Sequence, residues 1–497
     1  MNSKRILSIL AGAALLIFMA ALNNTPAVAA NHPGLKAATL VAEPAPEPLV
    51  CINCHRAPNI NTNEGVIASR AFCYDCHRKP ETKKRVGTND ISLQVTPAMF
   101  DKNQPRHRFI ACINCHTDVA RSPHKTKTGA TCLECHNRHS EGTAHAPHLR
   151  VSCQACHFKS EFVRLDPKDH RVKLSHTNYD SVPISLSDHS PSDAADENTC
   201  KKCHFKKNPV GAPAAVLPSK SALCILCHNS PLAMGAPVFG LAGLIFLAGI
   251  FIMLSFWFKG SVKGEETSLH RKISLSSESI WNTVFSKQFF TLIKIFILDI
   301  VFQRRILKES VSRWSMHSLI FTAIMLRMGL ALFTAIGFYF NPGSEWMTAL
   351  VDKNYWFTAL ANDFLGLLIL SGIIWAVVKR FIIKPDHVVT EYQDNIALVI
   401  LGSLVGLGFV LEGARILVTG IPADIAAYSF AGYMVSKVFS FFPFDWASVY
   451  PLLWYAHGAV AAVFIAYLPF GKMRHIFNTP LTYFIEAVDG VKNEKRV

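Results

Sequence analysis

Seven times between Cys51 and His228 the chain reads Cys-x-x-Cys-His, and no other feature limits its folding so severely. The copies are Cys51/Cys54/His55, Cys73/Cys76/His77, Cys112/Cys115/His116, Cys132/Cys135/His136, Cys153/Cys156/His157, Cys200/Cys203/His204 and Cys224/Cys227/His228, and they use all fourteen cysteines. This is the attachment signature of c-type haem: two thiols bond the porphyrin vinyl groups and the adjacent histidine reaches the iron. Disulfides, structural zinc and thioredoxin-like redox pairs also use Cys-x-x-Cys, but none explains a histidine after every pair. The expectation is seven covalent haems, with the fourteen cysteines as attachment points and the seven motif histidines as iron ligands.

Residues 31–234 otherwise lack the apolar runs of an ordinary core, and without a cofactor such a composition argues for disorder. Here the haems themselves are expected to form the core. Successive first cysteines are 22, 39, 20, 21, 47 and 24 residues apart, so the ladder reads as a pair, a trio and a pair. Each iron needs a sixth ligand, and that position decides between electron transfer and catalysis. Nine further histidines lie in this segment, and His107, His124, His139, His145, His148, His170, His176 and His189 are the candidates; His32, near the expected new N-terminus, is the weakest. The sequence leaves open which histidine serves which haem. This supply of ligands, and the lack of any Cys-x-x-Cys-Lys motif, argue against a third class of function, a periplasmic reductase of a small molecule such as nitrite.

The flanks of the ladder are lipid-like. Residues 1–30 read as a signal peptide: Lys4 and Arg5, an apolar run from Ile6 to Leu22, then small residues. Charged residues are only 17% of the chain, and after Pro237 long uncharged runs begin. Spans are expected at about Pro237–Phe258, Ser315–Phe340, Trp356–Val378, Ile396–Val418 and Tyr450–Phe470. Lys259, Lys263, Arg271, Lys272, Arg304, Arg305, Lys308 and Arg313 follow the first span, Lys379, Arg380 and Lys384 the third, and Lys472 and Arg474 the fifth. By the positive-inside rule these loops face the cytoplasm, which leaves the haem segment outside, in the periplasm, in agreement with the signal. Phe285–Phe302 reads as a helix lying in the interface. The formal charge of +15 suggests no nucleic-acid partner, because each haem brings two propionates that offset the basic excess.

Ionisable groups inside spans are costly and point to function. They are His317 and Arg327 on the second span, Asp363 on the third, Glu412 and Arg415 on the fourth, and His457 on the fifth, with His475 just beyond it. His317 and His475 lie at matched depth, where a b-type haem fits between two helices. Glu412 and Arg415, three apart, share a helix face, either as a structural ion pair or with Glu412 taking protons from a quinol near His457 and Arg415 or Arg327 holding a haem propionate.

Trp454-Tyr-Ala-His457-Gly-Ala-Val, then Leu468-Pro-Phe-Gly-Lys-Met-Arg-His475-Ile-Phe-Asn-Thr-Pro480, resembles the last helix of the gamma subunit of respiratory nitrate reductase, and Arg313-Trp-Ser-Met-His317 resembles an earlier helix of that family. The resemblance covers about the last 200 residues. It implies that the last helix gives one ligand to each of two b haems and that the earlier helix gives two histidines ten apart. His317 and His475 match one site. His457 matches the other, but its partner position holds Arg327, so either Met325 or Met328 replaces the ligand or His457 serves a quinone. The whole layout also resembles the fused multihaem membrane cytochromes of metal- and sulfate-reducing bacteria.

The expected protein is therefore mostly α and irregular. It comprises a signal peptide (1–30), a haem-cored heptahaem cytochrome c domain (31–234) and a five-helix transmembrane cytochrome b bundle (235–497). The expected function is that of a bacterial inner-membrane quinol:cytochrome c-type oxidoreductase of anaerobic respiration. Electrons would pass from menaquinol in the quinone pool, through one or two b haems and seven c haems, to a periplasmic cytochrome or reductase, with Glu412, Arg415 and His457 at the quinol. The alternative is an electron-transfer subunit of a larger complex without quinone chemistry of its own.

Overall fold

In Cys-x-x-Cys-His the first cysteine and the histidine are four apart, one helical turn, so both project from the same face. The described motifs wind that way. The amide of the histidine donates to the carbonyl of the first cysteine in Cys112/His116 (2.8 Å), Cys200/His204 (3.0 Å) and Cys224/His228 (2.9 Å). In this computed structural model the residues described are 73–75, 77–86, 89–96, 112, 116, 132, 146–158, 162–184, 197–218, 220–230, 235–260, 262, 265–286, 288–341, 344–385 and 390–494. By compactness the chain divides into two units, residues 1–132 with 184–190 and residues 133–183 with 191–497.

Several expected haem positions are not among the described residues. Cys51, Cys54 and His55 of the first motif lie outside them, as do Cys76 of the second, Cys115 of the third, and Cys135 and His136 of the fourth. The expected signal segment and the candidate distal ligands His107, His124, His139, His145 and His189 lie outside them too. Each of the second, third and fourth motifs is therefore described only in part.

In the first unit strands β1 (Lys83–Val86) and β2 (Asn89–Ser92) form an antiparallel hairpin with Lys83 opposite Ser92. In the second, β3 (Val163–Leu165) pairs with β4 (Val172–Leu174), Val163 opposite Leu174. That hairpin packs on the fifth motif, which is helix α1 (Cys153–His157), and Ala155, Val163, Val172 and Val210 make a small apolar core there. The sixth motif begins in α2 (Glu197–Lys201). Lys202 ties the two motifs together, its Nζ donating to the carbonyls of Phe158 and Ala155.

From Pro237 the chain is almost wholly helical. Helix α3 (Pro237–Trp257) starts on a proline, whose missing N–H costs nothing at a helix N-terminus, and its 21 residues rise about 30 Å, one bilayer core. Then follow α4 (Leu269–Val284), α5 (Gln288–Ile295), a wide π-type turn at Phe296–Val301, α6 (Arg304–Glu309), α7 (Val311–Phe340), α8 (Glu345–Val351), α9 (Trp356–Val377), α10 (Tyr392–Thr419), α11 (Phe430–Ser440), α12 (Trp446–Tyr467) and α13 (His475–Glu494). Five stretches among the described residues are long and apolar enough to cross a membrane: Pro237–Trp257, Val311–Phe340, Glu345–Ile383, Tyr392–Thr419 and Trp446–Tyr467. These are the five expected spans, each within a few residues except where α8 and a π-type extension lengthen the third. The chain is a multi-pass membrane protein.

The bundle packs through a cluster of Ala323, Leu365, Ile369, Ile373 and Leu401, which joins α7, α9 and α10. Small residues allow close approach, as lipid tails give helices no hydrophobic reason to associate. A Cβ at Gly432 on α11 would sit 2.5 Å from Cγ of Glu412 on α10, so glycine is what lets α11 lie against that carboxylate. Leu241, Leu244, Leu247, Phe251 and Phe256 of α3 stay exposed, as lipid-facing side chains should. At the basic end of the bundle, Arg380 pairs with Asp394 (2.8 Å) and Lys472 with Glu391 (3.0 Å).

Candidate functional site

An imidazole that binds a metal through Nε2 has Nδ1 left over, and in metal sites that atom is nearly always hydrogen-bonded, fixing the ring. Two motif histidines show this arrangement: His77 Nδ1 donates to the Leu93 carbonyl (2.9 Å), and His204 Nδ1 to the Pro213 carbonyl (2.9 Å). The same holds for both expected ligands of the membrane haem. Nδ1 of His317 donates to Oε1 of Gln303 (2.8 Å), and Nδ1 of His475 to the Lys472 carbonyl (2.6 Å).

Two imidazoles on opposite faces of one iron have a required spacing. With a metal–nitrogen distance of about 2 Å and about 1 Å from nitrogen to ring centre, the centres fall about 6 Å apart. Among the described residues of the second unit, three histidine pairs meet it: His148 and His204 at 6.2 Å, His228 and His457 at 5.9 Å, and His317 and His475 at 6.2 Å. An edge-to-face ring contact has a similar separation, but every pair contains a residue that haem chemistry selects on sequence grounds, and four of the six rings hold a hydrogen-bonded Nδ1 or belong to a motif. The residues present thus fit two-histidine haem ligation, both for a b-type group at His317 and His475 and for covalent groups at the motifs.

The remaining expected ligands are placed less fully. His116 of the third motif shows the motif's backbone turn only: it and Cys112 are half-buried, and Cys115 between them is not described. His157 closes the fifth motif at the end of α1, also half-buried. Of the candidate distal ligands, His170 has a left-handed backbone (φ 51°) and an amide bonded to the Asp166 carbonyl, and His176 is exposed just after β4. The roles expected of Cys54, His55, Cys76, Cys135 and His136 fall outside the described residues and stay expectations of the motif alone.

The His317 side is built from the turn before it. Asp299, buried in the π-type turn, receives Nε and Nη2 of Arg304 at 2.7 and 3.0 Å. Between them Gln303 takes a left-handed conformation (φ 53°) that non-glycine residues rarely adopt. Its side chain is buried and reaches His317, with Ser318 Oγ also donating to Oε1 (3.3 Å). An open cleft of about 420 Å³ flanks His475, lined by Glu391, Lys472, Arg474 and Asn478 among others.

The seventh motif enters the bundle. Arg327 Nε on α7 donates to the Cys227 carbonyl (2.7 Å) and its Nη1 to the Asn362 carbonyl on α9 (3.0 Å). Cys224 packs against the cluster of Phe239, Ala242 and Ala462 from α3 and α12. Asn229 Nδ2 donates to the Leu350 carbonyl (3.0 Å). Burial, with Lys220 and Arg327 nearby, holds the His228 imidazole well below its usual pKa and therefore neutral, the form that binds metal. Lys220 is pushed down to about 7 by burial and by Lys353, and its Nζ has no hydrogen-bond partner. Nδ1 of His457 is buried without a hydrogen-bond partner.

Glu412 and Arg415 form an ion pair. Arg415 Nη2 meets Glu412 Oε1 at 2.7 Å and Nε meets Oε2 at 3.2 Å; Ser429 Oγ adds a bond to Oε1 (3.2 Å), and Lys353 Nζ stands 4.0 Å from Oε2. Arg415 Nη1 also donates to Asn354 Oδ1 (2.8 Å). Asp363 Oδ2 accepts the amides of Ala431 (2.7 Å) and Gly432 (3.1 Å), capping α11 from a neighbouring helix. Sequence reasoning missed Gln303, Lys220, Lys353 and Asn354. Only Lys220 had a readable signal: it lies one helical turn before Cys224.

Residues 335–493 match the nitrate reductase gamma subunit family. That family binds b-type haem, and the match runs from the end of α7 through α8–α13, including His457 and His475. One subunit of the dihydromethanophenazine:CoB–CoM heterodisulfide reductase of Methanosarcina thermophila is 28% identical over 258 residues, 48% of this chain and 86% of that one. Its counterpart in Methanosarcina mazei is 30% identical over 199 residues, 38% of this chain and 66% of that one. The EtfAB:quinone oxidoreductase of Syntrophomonas wolfei is 27% identical over 259 residues, half of this chain (50%) and a third (33%) of that one. No solved structure matches the chain. The helical half is thus a nitrate-reductase-gamma-like cytochrome b domain.

Proposed function

We propose that the chain is a quinol-oxidising membrane cytochrome that passes electrons from the menaquinol pool, by way of b haem and seven c haems, to a periplasmic cytochrome or reductase. The observation that carries this reading is the seat of the seventh motif. Its Cys227 carbonyl is bonded to Arg327 inside the helix bundle, and its His228 faces His457 of α12, so the last rung of the covalent ladder meets the membrane domain directly. Haem, when bound, takes up and releases one electron at a time.

The protein's part is to hold and to exclude. His317 and His475 hold the b-type group, with Gln303 and the Lys472 carbonyl fixing the rings. His148 would supply the second ligand at the sixth motif, and a haem held there by two histidines would be suited to electron transfer rather than to binding a small molecule. Lys202 holds the fifth and sixth motifs together, so that successive rungs stay adjacent. The Glu412 carboxylate is engaged by Arg415 and Ser429; it clamps α10 to the α8–α9 connection and to α11, so taking a quinol proton would weaken that clamp. The motif residues outside the described ones, with their distal histidines, continue the wire in this reading, and the periplasmic side is the one that the signal and the basic loops indicate.

The test is direct. Purified full-length protein in lipid nanodiscs is mixed anaerobically with a short-chain menaquinol, and both the b and the c absorbance bands are followed. Reduction of both, b before c, is expected. Haems that stay oxidised would remove the quinol chemistry and leave the second reading, an electron-transfer subunit of a larger complex. That reading draws support from the relatives named as subunits of a heterodisulfide reductase.

A further inference from the structure

Of the three histidine pairs at haem-ligand spacing among the described residues, one joins a Cys-x-x-Cys-His motif to a membrane helix. His228 completes the seventh motif, whereas His457 lies midway along the 22-residue α12; their ring centres are 5.9 Å apart, with planes at 67°. We propose that His457 Nε2 is the second axial ligand of the haem attached at Cys224 and Cys227, so that the last covalent haem is set inside the helix bundle and the chain holds a single b-type haem, at His317 and His475. The proposal deepens the function above and rests on its haem assignment, but not on quinol as the electron donor.

Four observations support it. The spacing is the one that an iron between two imidazoles requires. The motif is fastened where such a haem must lie: Arg327 of α7 holds the Cys227 carbonyl, while Cys224 packs on Phe239 and Ala242 of α3 and Ala462 of α12. A ring contact alone would need none of these anchors.

The third observation is charge. Lys220, Arg327 and Lys353 gather round the two rings, and Lys220 Nζ is buried without a hydrogen-bond partner. The nearby carboxylates are engaged elsewhere, Glu412 with Arg415 and Asp363 with the amides of Ala431 and Gly432. Cationic groups are thus in excess at this pocket, and buried charges need partners. A haem brings two propionates, groups of the sign that would offset them.

The fourth is the inventory of ligands. After Pro237 the histidines are His270, His317, His387, His457 and His475. With His457 given to the seventh motif, His317 and His475 are the pair that remains, since His270 and His387 fall in the basic connections. Arg327, ten residues or about 15 Å along α7 from His317, stands where a second b-type site would need its ligand and instead hydrogen-bonds the motif backbone.

The experiment uses the full-length protein in detergent or nanodiscs, and compares wild type with His457→Ala and His457→Met. Pyridine haemochrome spectra give the b-to-c ratio, and ferric electron paramagnetic resonance gives the spin state. The wild type should show one b per seven c with all haems low-spin. His457→Ala should keep that ratio, since the haem is covalently held, and gain a high-spin signal equal to one haem in eight. His457→Met should return to low spin with a raised reduction potential, as methionine ligation does; it also separates lost ligation from misfolding. In a Cys224→Ala/Cys227→Ala background the c count should fall by one and the His457→Ala signal should vanish. Two b per seven c in the wild type, one of them lost in His457→Ala, would overturn the proposal in favour of a second b haem. An unchanged ratio and unchanged spin state in His457→Ala would equally overturn it and leave His457 to the quinol. None of these readouts involves quinol turnover, so failure of the quinol reading would be seen separately.

Discussion

Glu412→Gln separates two duties for the most heavily engaged acid in the bundle. Removing the charge leaves Arg415 and Lys353 as buried cations; the side chains of Arg415 and Glu412 are only 11% and 16% exposed. Breaking a buried pair by removing one partner costs about 3–5 kcal/mol, most of it for the charge left behind. The amide oxygen of Gln can still accept one bond from Arg415, so the lower end, about 3 kcal/mol, is the better figure. For a domain of this size each kcal/mol moves the melting temperature by roughly 2–4 °C, which gives a fall of about 6–12 °C. The assay is loss of helicity by circular dichroism on heating in nanodiscs, at several scan rates because membrane proteins seldom refold. Glu412→Met combined with Arg415→Met should recover most of the loss, since apolar replacement of a whole buried pair is close to neutral. A single variant that melts within about 2 °C of wild type would refute the clamp. If such a variant also lost quinol turnover with an altered pH profile, Glu412 would be a proton acceptor rather than a strut.

Gln303→Leu removes the acceptor that orients His317. Outer-sphere losses of this kind cost about 10–100-fold in metal affinity, so b haem should dissociate more readily under dilution in detergent while the c content is unchanged; retention equal to wild type would remove Gln303 from the site. His148→Ala should leave the c haem count untouched and turn one haem high-spin, and an unchanged ferric spectrum would show that the sixth motif takes its ligand elsewhere.

The sequence carried the membrane helices for one physical reason: they are written in a strict local pattern. A bilayer demands about 20 consecutive apolar residues, so α3, α7, α9, α10 and α12 are visible to within a few residues. The five-residue Cys-x-x-Cys-His pattern is equally local, and the assignment of covalent haem to it rests on the sequence. The hairpins β1–β2 and β3–β4, with strands of only three or four residues, leave no periodicity to detect. Gln303 was invisible for another reason: its role depends on a left-handed backbone and on the Asp299–Arg304 clamp, which no local pattern announces.

The pairing of His457 shows where motif reasoning stops and three-dimensional placement begins. A histidine in a membrane helix calls for a partner, and the search for one naturally runs along the other membrane helices, where position 327 holds arginine and the nearby methionines are the fallback. Met325 is 37% exposed on α7, which suits a lipid-facing side chain better than a ligand. In the pairing proposed above the partner is His228, 229 residues away in sequence and outside the membrane helices. The arginine that looked like a missing ligand then acquires a reason: its guanidinium donates to two backbone carbonyls, one on the motif and one on α9, which an imidazole could not reach together. A histidine ligand at 327 and a fastened seventh motif compete for the same space, and this chain has taken the second.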